Sequence, residues 1–402
     1  MKILFVNLVY EVGSTGKIVA GIVDRLRDLG HEAKILYGVG QTSEDSDALK
    51  LSSTFEIRFH NYLSRFTDHA GLYSKMATKR MIREIKSFQP DLIHLHTLHG
   101  FYVNYEMLFH YLKAAKIPVV WTLHDCWAFT GHCTHFSQAN CMQWKSQCRE
   151  CSLLYRYPQC YGKGDVKRNY LRKKEAFTGV NPLVITTASH WLAEQLSQSF
   201  LKEYPSKVIY NGIDLSVFRP QSSDLRKRYY LENKKIVLGV ANAWNARKGL
   251  NDMIALAKRL DTTYQIVLVG LTEKQLKVLP QQILGIKRTA NQTELSQWYS
   301  TADVFINPTY EETFGLTTVE AQACGTPVIV YKTGGCPEAV ADGNGVLVSQ
   351  GDISSLESNI KWMAESGFRA DFSKMRVFDE KDISLKYIDL YQQVINHGKL
   401  KK

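Results

Sequence analysis

The stretch from Asp303 to Glu338 constrains the fold more than any other part of the chain. Val304-Phe305-Ile306 is a short apolar run that reads as a buried strand and stops at Asn307-Pro308. A polar loop with two acids, Glu311 and Glu312, follows, and Gly315 stands where a helix should begin. The helix is expected over Leu316 to Cys324; Gly325 closes it, and Pro327 leads into a second strand, Val328-Ile329-Val330. Strand, loop and helix N-terminus in that order belong to a parallel sheet, whose ligands gather at this end of the strands.

The loop suits a sugar nucleotide. Backbone N–H groups of Phe314, Gly315, Leu316 and Thr317 fall where a helix leaves its donors unsatisfied, and they fit a diphosphate. Glu320, about two turns into the helix, fits ribose hydroxyls, and Glu312 fits hydroxyls of a transferred sugar. Taken alone, such a pair of acids reads more simply as solvated loop and helix residues.

The rest of the chain repeats the strand–helix alternation. Strands are expected over Ile3 to Leu8, Ala33 to Tyr37, Leu92 to Leu95, Val119 to Leu123, Leu183 to Thr187 and Val208 to Tyr210. Phe218 to Asp224 reads as a linker, after which Ile236 to Val240 and Ile266 to Val269 start a second series. This is the pattern of α/β domains with doubly wound sheets, and 402 residues suffice for two. No apolar run reaches ~18 residues, so no membrane-spanning helix is expected. Met1 to Asn7 reads as a first strand rather than a signal peptide, which makes a cytoplasmic location the expectation.

The formal charge of +11 is uneven: residues 1–180 hold 24 Lys and Arg against 16 Asp and Glu, the remainder 26 against 23. A basic first half favours anionic partners. Residues 56–88 read as a helical stretch mixing Arg58, Phe59, Tyr62, Arg65 and Phe66 with further basic groups. That composition fits a membrane surface and equally a surface helix with its apolar side on the sheet.

Several further positions carry chemistry. Gly13-Ser14-Thr15-Gly16-Lys17 lacks Walker spacing, since two residues separate the glycines and Ile18 stands where Ser or Thr is needed. Gly13 and Gly16 still open a helix whose N–H groups fit a phosphate, or they form an ordinary turn. His94 and His96 alternate along one strand face, in structural or acceptor-lining roles. His124 and Asp125 follow a strand end. Lys248, just before a helix, fits a diphosphate. Six of the eight cysteines lie between Cys126 and Cys160; Cys148-x2-Cys151 has half-site spacing, and Cys133 and Cys141 would complete a structural zinc site. Free thiols or an Fe–S ligand set are the other readings.

Glu312-x7-Glu320, with Phe314-Gly315 inside it and Cys324-Gly325-Thr326-Pro327 after it, resembles the retaining glycosyltransferases of family 4, and Ser189 to Ala193 and Val208 to Asp214 agree. The resemblance implies the GT-B fold, two Rossmann-like domains facing across a cleft. Residues 1–215, with a Cys-rich insert at 126–160, form the acceptor side. Residues 216–380 form the donor domain, and 381–402 a helix returning to the first. It implies transfer from a nucleotide-sugar with no metal needed for catalysis, a UDP-sugar being favoured and a GDP-sugar open. His124 and Glu312 become the catalytic residues positioning the sugar, Lys248 and the Gly315 helix the diphosphate clamp, and Glu320 the ribose ligand. Gly13 and Gly16 become donor contacts, and Arg288 flanks the base. Relatives place an Arg about six residues before Lys248; Asn242 or Ala243 stands there, so Arg247 or Asn242 takes that role. The insert itself resembles a subgroup from exopolysaccharide clusters, including the colanic acid type. That implies capsule or exopolysaccharide synthesis. A lipid-linked or oligosaccharide acceptor fits the basic first half, and peripheral contact with the inner face of the plasma membrane fits the basic and aromatic stretch at 56–88. A GT-B epimerase, a non-catalytic donor-binding partner and a zinc-dependent nucleic-acid binder are the rivals. The last leaves the Glu-x7-Glu helix unexplained, so no nucleic-acid partner is expected.

Overall fold

The computed structural model describes residues 1–400, with side chains through residue 396. It divides into two compact units: Met1–Tyr210 together with the chain from Lys381 onward, and Asn211–Glu380.

The first unit runs β1 (Lys2–Asn7), α1 (Gly13–Asp28), β2 (Glu32–Tyr37), β3 (Ala48–Lys50), α2 (Thr54–Thr67), α3 (Lys75–Phe88) and β4 (Leu92–Leu95). It continues with α4 (Tyr105–Ala115), β5 (Val119–Leu123), α5 (Val166–Phe177), β6 (Leu183–Thr187), α6 (His190–Ser197) and β7 (Ser206–Val208). All seven strands are parallel, in the order β3-β2-β1-β4-β5-β6-β7. Ile3 to Val6 and Leu92 to Leu95 are buried throughout, as strands covered on both faces require. Helix α1 turns Ile18, Val19, Ile22, Val23 and Leu26 inward at helical spacing.

The second unit runs α7 (Leu225–Arg228), β8 (Lys235–Val240), α8 (Leu250–Ala257), β9 (Tyr264–Val269), α9 (Glu273–Val278), β10 (Ile283–Ile286) and α10 (Gln292–Thr301). It closes with β11 (Val304–Asn307), α11 (Leu316–Ala323), β12 (Val328–Tyr331), β13 (Gly345–Val348) and α12 (Ile353–Ser366). Its six strands are parallel in the order β10-β9-β8-β11-β12-β13. The long helix α13 (Glu380–Leu400) then joins the first unit, burying Ile383, Tyr387, Ile388 and Tyr391. The Tyr391 hydroxyl meets His94 Nδ1 at 2.7 Å, and Tyr387 meets Thr122 at 3.3 Å.

Three expectations change. The helical stretch at 56–88 is two helices, because Asp68 takes left-handed geometry (φ 60°) and ends α2. Strand β7 ends at Val208 rather than Tyr210. The expected linker is docked: Phe218 is buried, and the Gln221 side chain donates to Ser296 Oγ at 2.5 Å. Among the described residues no helix is long and apolar enough to cross a membrane.

Candidate functional site

Strands β8 and β11 are neighbours although the chain leaves them toward opposite edges of the sheet. At such a switch point the two following loops splay apart and leave a crevice at the strand ends. The loops after β8 and β11 are tied together there. Tyr310 N donates to Arg247 O at 2.8 Å, and Arg247 Nη1 donates to Glu311 O at 2.9 Å. Arg247, expected as a stand-in phosphate ligand, therefore braces the Glu311 carbonyl. Lys248 has its backbone N–H capped by Asn245 Oδ1 at 3.0 Å, and its ammonium pairs with Glu312. Two residues 64 positions apart thus form one half-buried ion pair.

The Glu312 backbone is fixed from β12. Gly335 N donates to Glu312 O at 3.1 Å, and a Cβ on Gly334 (φ +52°) would stand 1.9 Å from that oxygen. Gly315 (φ +102°) precedes α11; its nearest neighbours would allow a Cβ, so backbone geometry and not space demands glycine. No side chain caps α11 at Gly315, and half-buried Leu316 and Thr317 form its first turn. Phe314 contributes backbone only, since its ring is buried against Phe378 at 5.8 Å. Glu320 is the fifth residue of α11, just over one turn in rather than two, because the helix starts at Leu316. Its Oε2 accepts from the Tyr299 hydroxyl at 2.8 Å; burial, and then Glu320, pushes that phenol well above its usual range.

Asn242 and Arg288 meet in one pocket of about 570 Å³ with Gly270 to Lys274 and Lys287, at the ends of β8, β9 and β10. They lie 46 positions apart, so nothing local in the sequence links them.

In the first unit the switch point lies between β1 and β4. Gly13 opens α1, and Gly16 is buried in its first turn against Tyr10 and Glu11. His124, directly after β5, stacks on His96, with His96 Nδ1 3.0 Å from His124 Nε2. His94 and His96 do share a face, their rings 4.0 Å apart. His94 bonds Tyr391 and Thr122, which makes it structural. Burial lowers His124 to about 4 and holds His94 and His96 well below the usual imidazole value, so all three are neutral at pH 7. Buried His96 Nε2 has no hydrogen-bond partner and lines a cavity of about 20 Å³ with His124, room for about one water. Asp125 is held by His99 at 2.6 Å. Burial alone would raise its carboxyl, but His99 brings it down to about 2. His99 itself was missed, although the run His94-x-His96-x2-His99 signals it.

Among the described residues no group of three or more His, Cys, Asp or Glu side chains is arranged to hold a metal. Cys133 bonds Cys151, Cys148 Sγ accepts from Gly131 N at 3.3 Å, and the insert packs into the core through Trp144, Phe129 and Phe136.

A family model described as Glycosyltransferase Family 4 matches residues 15–217, and one described as Glycosyl transferases group 1 matches residues 221–376. A D-inositol 3-phosphate glycosyltransferase 1 of Catenulispora acidiphila is 35% identical over 182 residues, 40% of this chain and 44% of that protein. The D-inositol 3-phosphate glycosyltransferase of Mycolicibacterium smegmatis is 32% identical over 166 residues, 38% of each. The matched stretches thus span less than half of these relatives' length. Among solved structures, a sucrose-phosphate synthase from Thermosynechococcus elongatus superposes with a TM-score of 0.73 at 16% identity over 98% of this chain and 99% of that one. The Anabaena protein HepE, solved with UDP-glucose, gives 0.68 at 19% identity over 98% and 100%. The two parallel sheets, the Glu312 loop at the β8–β11 switch point and the family model over the first half agree: the chain belongs to glycosyltransferase family 4 and has the GT-B fold.

Proposed function

We propose that this chain is a retaining glycosyltransferase that moves a sugar from a nucleotide-sugar to a glycan or lipid-linked acceptor in capsule or exopolysaccharide synthesis, working at the cytoplasmic face of a membrane. The observation that carries the reading is the meeting of Lys248 and Glu312 beside the uncapped start of α11, with Glu320 one turn on. A diphosphate there would draw the Lys248 ammonium and the N–H groups of Leu316 and Thr317, and would free Glu312 to accept from sugar hydroxyls. Glu320 would accept from the ribose, with Tyr299 fixing its carboxylate. The base would lie in the Asn242–Arg288 pocket.

In the reaction the acceptor oxygen bonds to the anomeric carbon on the side from which the phosphate oxygen departs, and the departing diphosphate takes the acceptor proton. Lys248 and the α11 dipole stabilise the charge that develops on the leaving group. Neutral His124 orients a sugar hydroxyl, and Gly13 at the start of α1 offers its N–H group to the donor, with Gly16 packed beneath that turn. A UDP-sugar is the favoured donor; the HepE structure holds UDP-glucose. The names of the curated relatives support a second acceptor class, a small polyol phosphate.

The test is a melting-temperature panel with UDP-, GDP-, ADP- and CMP-sugars, followed by product analysis with lipid-linked glycan and inositol phosphate acceptors. One donor at a hundredfold its Kd should stabilise the protein by about 2.7 kcal/mol, and the product should keep the donor's anomeric configuration. Stabilisation by none of the four, or an epimerised donor as the only product, would overturn the reading.

A further inference from the structure

Helix α2 is mounted with its apolar side outward. Phe55, Phe59, Tyr62 and Phe66 follow one another at steps of four, three and four, which sets them on one face. They are 76%, 53%, 61% and 57% exposed. The inward face buries His60 and Ser64. His60 is fixed there: its Nε2 accepts from Gly71 N at 3.1 Å, and Ser74 Oγ, which donates to Phe101 O, lies 2.6 Å from its Nδ1. The neighbouring α3 does the opposite and buries Ala77, Met81 and Ile85, so the inversion belongs to α2 and not to the composition of the region.

The exposed rings form a ridge. Phe55 stacks on Phe59 at 6.2 Å, Tyr62 meets Phe66 edge-on at 5.2 Å, and Phe66 meets exposed Tyr161 at 6.1 Å. A contiguous apolar face of this kind marks a contact surface, unlike scattered exposed side chains. Its margin is cationic. Arg58 is exposed on the same helix, Arg65 donates to the Tyr161 hydroxyl at 2.7 Å, and Lys163 follows Tyr161 by two residues. The helix's one acid, Glu56, is turned onto Arg80 at 2.7 Å.

We propose that this ridge docks on an anionic lipid bilayer, the rings entering the headgroup boundary and Arg58, Arg65 and Lys163 meeting lipid phosphates. Charge complementarity selects this occupant: aromatic rings rimmed by cations, with the acid withdrawn, match an anionic surface. The inference deepens the reading of a membrane-side acceptor by naming the surface, while docking itself requires no transfer chemistry.

The experiment is co-sedimentation of the full chain with vesicles of phosphatidylglycerol and phosphatidylcholine, beside vesicles of phosphatidylcholine alone. The wild type should bind the anionic vesicles at least tenfold more tightly. The triple variant Phe55→Ser, Phe59→Ser, Phe66→Ser should lose at least tenfold in binding with its melting temperature and donor-induced shift unchanged. Arg58→Glu, which removes no ring, should lose several-fold. Glu312→Ala should sediment like the wild type, which separates docking from transfer if either reading fails. Equal binding to both vesicle types, no binding, or undiminished binding by the triple variant would overturn the proposal. So would a wild-type dimer that the triple variant converts to monomer, since the ridge would then be an interface between copies.

Discussion

Lys248 and Glu312 form a pair with side chains 22% and 19% exposed, close to solvent and with little stability at stake, about 0–1 kcal/mol. Glu312→Ala is therefore expected to leave the unfolding midpoint within about 1 kcal/mol of wild type while cutting kcat roughly a hundredfold, the scale of a mispositioned substrate. Steady-state kinetics beside a urea titration reads both quantities; full activity would remove Glu312 from the site. Gly334→Ala tests the scaffold behind it. The new Cβ would collide with the Glu312 carbonyl at a backbone φ of +52°, so the loop must shift. A comparable loss of kcat is expected, with a stability loss of roughly 1–3 kcal/mol that Glu312→Ala does not show. Glu312, Gly315 and Glu320 are legible in sequence because they lie within one strand–loop–helix passage. Gly334 and Tyr299 are not, because what they brace lies about 20 residues away and is reached only through the fold.

At the scale of elements, the stretch carrying α2 and α3 was legible as helix and illegible in orientation. Periodicity reports that residues share a face; it does not report which face meets the core. Here the junction decides. Asp68 ends α2, its carboxylate meets buried His132 at 2.5 Å and accepts from Asp165 N at 3.0 Å, and its carbonyl accepts from Asn169 at 2.6 Å. One residue thus ties α2 to the Cys-rich insert and to α5. Asp68→Ala should destabilise the protein by roughly 1–3 kcal/mol, since it strips a buried hydrogen-bond partner from His132 and from Asp165 N. Urea unfolding measures this, and a loss under about 1 kcal/mol would show that the junction is held elsewhere.

At the scale of the whole molecule, four histidines are buried as neutral groups. His60 and His124 are lowered to about 4, and His94 and His96 well below their usual value, in each case by burial first. Below the unfolded value near 6.5 the unfolded chain takes up protons that the folded one refuses. Stability is therefore expected to fall as pH drops from about 6.5 toward 5, by up to ~1.4 kcal/mol per pH unit for each histidine. Urea midpoints at pH 7.5, 6.5 and 5.5 check this; a slope no steeper than one histidine gives would mean the other three are hydrated. The first unit is also discontinuous in sequence, with Tyr387 and Tyr391 closing over His94 and Thr122. Residues 1–210 alone should melt roughly 10 °C below the same segment joined to 381–402, a difference of several kcal/mol at this size. Melting curves of the two polypeptides decide it.

The sequence by itself determined the two series of parallel strands, because buried strands of such sheets are short continuous apolar runs and the turns between them are marked by Gly, Pro and Asn. It also marked where ligand chemistry is expected, since a strand that feeds a helix N-terminus is a local pattern. Tertiary structure alone decided that Arg247 braces a carbonyl, that Lys248 meets Glu312, that Asn242 and Arg288 share a pocket, and that the Cys133 and Cys151 thiols meet. Each of these depends on the distance between groups far apart in the chain, which strand order sets and local periodicity does not carry.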